Sequence, residues 1–282
     1  WKYRRATLIQ QSDPKNYFTV RAMHGPGKTY WGAGTSLWFG TVFPMARIPI
    51  LAPKFGQITT RFMFEINKIR NLAVPDFQRM TEVGNANVRW CGYKEWTLFG
   101  QTAKKAENLA GLHNDHQLVF CDEASGIPEA LFPTIFGAVS TGIVQILILI
   151  GNPTKNTGTF YDSHCRPKVA KDFCRISIDL EKAPRVSRKW VRRMVDKYGV
   201  DSPIVKIRCF GEFAEIGENQ LIAPEWIVNA RDKGEEFEPD GSMPRLRVSV
   251  DVSDGGEDKS VLTVVQHLQS KRLLLKQKSY SW

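Results

Sequence analysis

The sequence predicts an α/β fold with a mostly parallel sheet to about residue 200, then a connector and a separate run of strands. Three observations carry this. Segments of strand and helix periodicity alternate along the chain. Gln117–Cys121 and Val144–Ile150 are continuous apolar runs, as strands buried on both faces require. From Gly211 to Pro244 the composition turns to Gly, Pro and acidic residues, and only strand-like segments follow.

In order, Asn16–Arg21 reads as a strand, followed by a Gly/Pro turn and a helix from about Thr29 to Phe39. Arg47–Leu51 is the second strand. Phe55–Leu72 is a helix whose apolar positions Phe55, Ile58, Phe62, Ile66 and Ile69 recur by threes and fours. Val88–Trp90 and Trp96–Phe99 flank a turn and form a hairpin. A helix around Pro128–Phe136 separates the two apolar strands, and Asp172–Ile178 supplies another strand. Ser187–Tyr198 is an amphipathic helix with Trp190, Val191, Met194, Val195 and Tyr198 on its apolar stripe. Its other face carries Arg188, Lys189, Arg192, Arg193 and Lys197, either a solvated surface or a track for DNA phosphates. The expected division is an α/β domain over 1–210, a connector over 211–244, and the start of a second domain over 245–282. In that last part Leu246–Val252, Ser260–Val265 and Lys271–Lys278 read as strands.

Charge narrows the partners. Lys and Arg number 39 against 29 Asp and Glu, a net +10 with a sequence pI near 9.4, which favours a polyanion such as nucleic acid or nucleotide phosphate. The most apolar stretch, Ile143–Ile150, falls far short of the roughly 20 residues a bilayer span needs. The chain opens on Trp1-Lys-Tyr-Arg-Arg5 without an apolar signal core, so no export is expected. Its 5 cysteines lack any C-x-x-C pair, which argues for reduced thiols rather than a disulfide framework or zinc knuckle.

Chemistry concentrates at strand ends. Arg21-Ala-Met-His-Gly-Pro-Gly-Lys-Thr29 follows a strand and opens a helix, the setting in which a glycine-rich loop wraps phosphates with backbone N–H groups. Ala22 stands where the first glycine of the strict pattern belongs, whereas Gly25 and Gly27 keep the needed conformational freedom. His24, Gly25, Pro26, Gly27, Lys28 and Thr29 are the expected nucleotide contacts. Lys28 is expected at the β- and γ-phosphates and the Thr29 hydroxyl on Mg²⁺.

Leu118-Val-Phe-Cys-Asp-Glu123 is an apolar strand ending in two carboxylates. Consecutive strand residues face opposite ways, so the two should divide the work. Asp122 is expected to hold Mg²⁺ and Glu123 to polarise the attacking water. The strand ending at Ile150-Gly-Asn-Pro153 places Asn152 at the same carboxyl edge, where it could sense the γ-phosphate.

Together these residues resemble the large terminase subunit of tailed double-stranded DNA bacteriophages. The likeness includes Leu51-Ala-Pro-Lys54 with Gln57, Ala110-Gly-Leu-His113, Asp122-Glu-Ala-Ser125, Gly151-Asn-Pro-Thr154 with Gly158-Thr-Phe-Tyr161, and Gly211-Glu-Phe213. The resemblance implies a P-loop ATPase of the additional-strand, RecA-like class joined to a ribonuclease H-like nuclease. It implies an ATP-driven motor that moves double-stranded DNA into a viral procapsid and, in the complete protein, cuts it.

In Val250-Asp-Val-Ser-Asp-Gly-Gly-Glu-Asp-Lys-Ser260, Asp251 resembles the first metal-binding carboxylate of that nuclease, for Mg²⁺ or Mn²⁺. Two-metal cleavage needs several convergent acids, so this chain by itself is not expected to cut DNA; Asp254, Glu257 and Asp258 are nearby alternatives. Many terminases carry an arginine inside the phosphate loop where this chain has His24. Arg21, at the loop's start, or a neighbouring subunit's arginine is the alternative source of that charge. Gln10 and Gln11 stand roughly where the family contacts adenine. The implied partners are the portal and procapsid, a small terminase subunit and further copies in a ring, in the host cell cytoplasm and without a membrane. Competing readings are a helicase-like or other DNA-dependent ATPase, and a non-catalytic DNA-binding virion assembly component with a degenerate loop, which Ala22 and His24 would favour.

Overall fold

The computed structural model describes residues 16–102, 113–214, 245–251, 260–268 and 271–280. The chain divides into two compact units, Trp1–Gln220 and Leu221–Trp282.

In the first unit one sheet contains β1 (Tyr17–Ala22), β2 (Arg47–Ala52), β3 (Thr81–Val83), β4 (Asn87–Trp90), β5 (Thr97–Thr102), β6 (His116–Asp122), β7 (Val144–Gly151) and β8 (Phe173–Ile178). The spatial order is β3-β4-β5-β2-β6-β7-β1-β8. The six strands from β5 to β8 in that order run parallel, and β4 and β3 add antiparallel to one edge. The extra strand β7 lies between β1, which leads into the phosphate loop, and β6, which ends in the acidic pair. This is the arrangement of the additional-strand, RecA-like class.

Helices cover both faces of the sheet, which is why β2, β6 and β7 are apolar at nearly every position. On one face α1 (Lys28–Val42) packs over Phe18, Val20, Ile50, Phe120 and Ile148. A continuous helical stretch joins it there: α2 (Phe55–Gln57), a π turn (Ile58–Phe62) and α3 (Met63–Asn71). Ile58, Phe62 and Ile66 are buried as their spacing predicts, but Phe55 is exposed at 44% and contributes nothing to the core. A short helix α4 (Pro75–Met80) leads into β3.

The opposite face receives α5 (Phe132–Ala138), preceded by a 3₁₀ turn Glu129–Leu131, and α6 (Thr159–Cys165), followed by α7 (Pro167–Ala170). Phe132, Ile135 and Phe160 pack there against Val119, Leu147 and Leu149. The close fit on the α1 face depends on glycine: a Cβ at Gly32 would lie 2.3 Å from the Phe120 ring, and one at Gly40 would lie 2.3 Å from Trp90.

A smaller cluster forms where α8 (Arg188–Tyr198), α9 (Pro203–Val205) and a π turn (Lys206–Phe210) close over the end of β1. Val186, Val191, Val205 and Cys209 enclose Met23 there. Ser187 caps α8 by accepting the Trp190 N–H at 3.3 Å. The five basic residues of α8 are all exposed, and Val191 is its buried residue. No described helix is long and apolar enough to cross a membrane.

In the second unit β9 (Arg245–Asp251), β10 (Ser260–Leu268) and β11 (Lys271–Tyr280) form an antiparallel sheet in the order β11-β10-β9, with an irregularity between Val264 and Val265. Most of the expected connector, 215–244, lies outside the described residues.

Candidate active site

The phosphate loop is built by the end of β1 and the start of α1. Gly25 and Gly27 have φ of 79° and 94°, which L side chains adopt only under strain, and Gly27 caps α1 without a side-chain bond. The helix therefore begins at Lys28 with its first N–H groups unclaimed by any capping side chain and its positive dipole end at the loop, as an anion site requires. Ala22 is a buried residue of β1 and does not adopt positive φ, so the missing first glycine carries no conformational penalty. His24 is exposed, but its backbone N–H donates to the Arg208 carbonyl at 2.9 Å and is thereby committed to protein.

Strand register brings the other groups alongside. Asp122 pairs level with Ile150, and Gly151 pairs level with Arg21, so β6, β7 and β1 end in one row. At that row the Lys28 ammonium, its side chain only 9% exposed, lies 4.0 Å from a Glu123 oxygen. It donates to Asn152 Oδ1 at 2.8 Å and to the Met23 carbonyl at 3.4 Å. Asn152 also donates through Nδ2 to the Ala22 carbonyl at 2.7 Å, and its own carbonyl accepts from Ser125 Oγ. Asn152 thus fastens lysine, loop and acidic turn together.

Burial pushes the Lys28 pKa down, and the Glu123 and Asp122 carboxylates oppose that. Asp122 is 6% exposed; burial and then the neighbouring Glu123 push its carboxyl up to about 6. Lys28, the Glu123 N–H at 3.1 Å and Arg61 pull the other way.

The alternation expected to separate Asp122 from Glu123 does not operate. The strand stops at Asp122, and Glu123 takes the left-handed conformation with φ and ψ both 51°. Such a residue costs on the order of 1 kcal/mol or more, and it swings the second carboxylate to Lys28 instead of to the far face. Gly151 allows this turn, because a Cβ there would lie 3.0 Å from the Ala124 nitrogen.

Arg21 is also corrected. It sits between Val20, which faces α1, and buried Ala22, so the two-residue period turns it to the opposite face of the sheet. Its Nε donates to Ser177 Oγ at 2.9 Å and its Nη1 to the Gly211 carbonyl at 3.1 Å, with the Phe213 ring centroid 6.0 Å away. The guanidinium is held there and does not reach into the phosphate loop.

Sequence spacing did not single out Arg185, Ser187 and Trp190, which line a cavity with His24 and Gly25 beside the loop. They lie about 160 residues further along the chain. Asp251 ends β9, is exposed and pairs with Val261. Among the described residues no three His, Cys, Asp or Glu side chains converge as a metal site. Asp254, Glu257, Asp258, Gln10, Gln11 and Ala110-Gly-Leu112 lie outside the described residues.

No protein-family model matches the chain. It is 29% identical over 265 residues to a probable terminase large subunit of Enterobacteria phage P7, covering 89% of this chain and 52% of that protein. The chain thus spans about half the length of that curated relative. The large terminase of a thermophilic bacteriophage superposes with a TM-score of 0.59 at 14% identity, over 99% of this chain and 68% of that one. The ATPase domain of the Thermus phage P74-26 large terminase gives 0.51 at 16% identity, over 74% and 92%. In fold the chain is like the solved phage large terminases, and in sequence it is similar, over most of its length, to a phage large terminase subunit.

Proposed function

We propose that the first unit is an ATPase that drives double-stranded DNA into a viral procapsid. The observation that carries this reading is the junction of Lys28 with Asn152, Asp122 and Glu123 at the carboxyl edge of adjacent parallel strands, directly beside a glycine loop at a helix N-terminus. The relatedness to a protein named as a terminase large subunit supplies the biological direction. The large terminase of the thermophilic bacteriophage has been solved with ADP and with ATP-gamma-S, which supports ATP as the nucleotide here.

In this reading the N–H groups of Gly25, Gly27, Lys28 and Thr29 cradle the phosphates, with Pro26 rigidifying the loop and His24 flanking it. Lys28 leaves Asn152 for the β- and γ-phosphates, and Asn152 is then free to read the γ-phosphate. Asp122 and Thr29 fit a Mg²⁺ ion: burial makes the carboxylate costly to ionise without a cation, and Thr29 is the second residue of α1. Bound there, the ion would neutralise phosphate charge. Glu123, its carboxylate held at the loop beside Lys28, orients and polarises the attacking water. Arg21 is held on the far face by Ser177 and the Gly211 carbonyl, which favours a neighbouring subunit's arginine as the source of charge at the transferring phosphate.

The second unit, as an incomplete ribonuclease H-like domain, would contribute Asp251 as one carboxylate of a Mg²⁺ or Mn²⁺ nuclease completed by further residues. The portal and procapsid, a small terminase subunit and a ring of copies in the host cell cytoplasm are the proposed partners and setting.

The test is steady-state ATP hydrolysis with and without duplex DNA for the wild type, Lys28→Ala and Glu123→Gln. Both variants should lose activity by a factor on the order of 100 or more. Glu123→Gln should retain nucleotide binding, whereas Lys28→Ala should lose it. Equal background hydrolysis by all three proteins, with DNA binding intact, would replace the motor reading by that of a DNA-binding assembly component.

A further inference from the structure

On the sheet face opposite α1, parallel pairing of β1 and β8 places Thr19 beside Arg175 and Arg21 beside Ser177. Because side chains repeat every two residues, these four project to one side as a square patch. Around it α6 and the segment after the second π turn complete an open cavity of about 510 Å³, lined by Arg21, His164, Cys165, Arg175, Ser177, Glu212 and Phe213.

The two guanidiniums are incompletely used. Arg21 spends Nε on Ser177 and Nη1 on the Gly211 carbonyl, and Arg175 spends Nη1 on the His164 carbonyl at 3.1 Å. Among the described residues neither forms an ion pair within 4.0 Å, and the Nη2 groups of both have no protein acceptor. Ser177 Oγ already accepts from Arg21, so its O–H remains to donate. Among the described residues Glu212 is the one carboxylate lining the cavity, set against the two guanidiniums. His164 adds none: burial, and then the fields of Arg21 and Arg175, push its imidazole down to about 3. Its Nε2 is bound to Thr19 Oγ1 at 2.9 Å, and Thr19 bonds Ser163 at 2.8 Å, so the floor of the cavity is fixed by buried hydrogen bonds.

We propose that this cavity is a second phosphate-binding site, in which Arg21, Arg175 and Ser177 grip one tetrahedral phosphate group on the side of the sheet away from the nucleotide loop. Planar guanidinium forks suit such an oxyanion. The phosphate could belong to a nucleic-acid backbone or be free orthophosphate, and the site does not depend on the ATPase assignment.

The experiment uses the full chain carrying Lys28→Ala, which silences the phosphate loop. Binding of inorganic phosphate is measured by calorimetry, and binding of a fluorescent duplex DNA by anisotropy at several salt concentrations. Adding Arg175→Ala should weaken phosphate binding by roughly tenfold, the loss of one charge-assisted contact. Arg175→Lys, which keeps charge without the fork, should recover part of that loss. Glu212→Gln should tighten binding, a gain that mere structural damage would not produce.

If the DNA backbone is the source, Arg175→Ala also weakens duplex binding and reduces the slope of log K against log salt by about 1. If only orthophosphate binding falls, the free anion is the ligand. Unchanged binding of both probes in Arg175→Ala, with the thermal melt of the wild type, overturns the proposal. So does weaker binding in Glu212→Gln.

Discussion

Replacing Asn152 by Ala removes two hydrogen bonds that share one buried amide, which is 5% exposed. The first, Nδ2 to the Ala22 carbonyl at 2.7 Å, is a neutral bond between buried partners. Its loss costs about 1–2 kcal/mol, because the carbonyl at the mouth of the loop is left poorly satisfied. The second, from the Lys28 ammonium at 2.8 Å, is charge-assisted and costs about 1.5 kcal/mol, since Lys28 keeps only the longer Met23 contact and Glu123. Nucleotide-free Asn152→Ala should therefore be destabilised by about 3 kcal/mol. With ADP and Mg²⁺ bound, Lys28 has moved to the β-phosphate in our reading and no γ-phosphate is present for Asn152 to bind, so the loss should shrink to about 1–2 kcal/mol. Asn152→Asp separates the terms: it keeps an oxygen for Lys28 but gives up the donor to Ala22. Urea unfolding followed by tryptophan fluorescence, with and without nucleotide, measures both. A loss under about 0.5 kcal/mol without nucleotide would refute the role of Asn152 as a fastening residue, and an equal loss in both states would refute the movement of Lys28.

Two further perturbations test the scaffold. His164 has a folded-state pKa of about 3, below the ordinary 6.5, so the unfolded chain takes up a proton first as pH falls. Stability is full above about pH 6.5 and declines below it, and by pH 5 the group should account for about 2 kcal/mol of loss. His164→Gln should flatten that part of the stability profile; an unaltered decline between about pH 6.5 and 5 would contradict the buried, neutral imidazole. Gly32→Ala drives a methyl group to 2.3 Å from the Phe120 ring and should lower stability by about 1–3 kcal/mol. A wild-type melting midpoint in that variant would show that α1 does not pack so closely on β6.

Elements with strong periodicity were legible from sequence because one interaction dominates them. The apolar runs of β6 and β7 can be satisfied only by burial on both faces, and the stripe of α8 only by one buried side. The short pieces α4, α6, α7 and the turn after α9 were not, since a helix of one or two turns carries too little period to register and is held by tertiary contacts. The helix over Phe55–Leu72 reads correctly in extent but not in regularity: its π turn shifts the phase, and Phe55 faces solvent. Arg21 could have been oriented from its neighbours, because Val20 and Ala22 are apolar and an arginine between them in a strand must face the other way.

The sequence by itself determined the phosphate loop, the acidic strand end and the third strand ending in Asn152, because each is a local pattern with a local chemical reason. It also determined that the sheet is mostly parallel, since burial on both faces is what accommodates such apolar strands. Tertiary structure alone decided that β7 inserts between β1 and β6, so that Asn152 reaches both Lys28 and Ala22. It alone set Glu123 in the left-handed turn that brings two carboxylates to one lysine. It also paired β8 with β1, placing Arg175 beside Arg21. The pairings of β1 with β7 and β8 are long-range choices of order and register, settled by packing between segments more than 100 residues apart, and the Glu123 turn depends on the close approach of Gly151 from the next strand, so no local pattern records them.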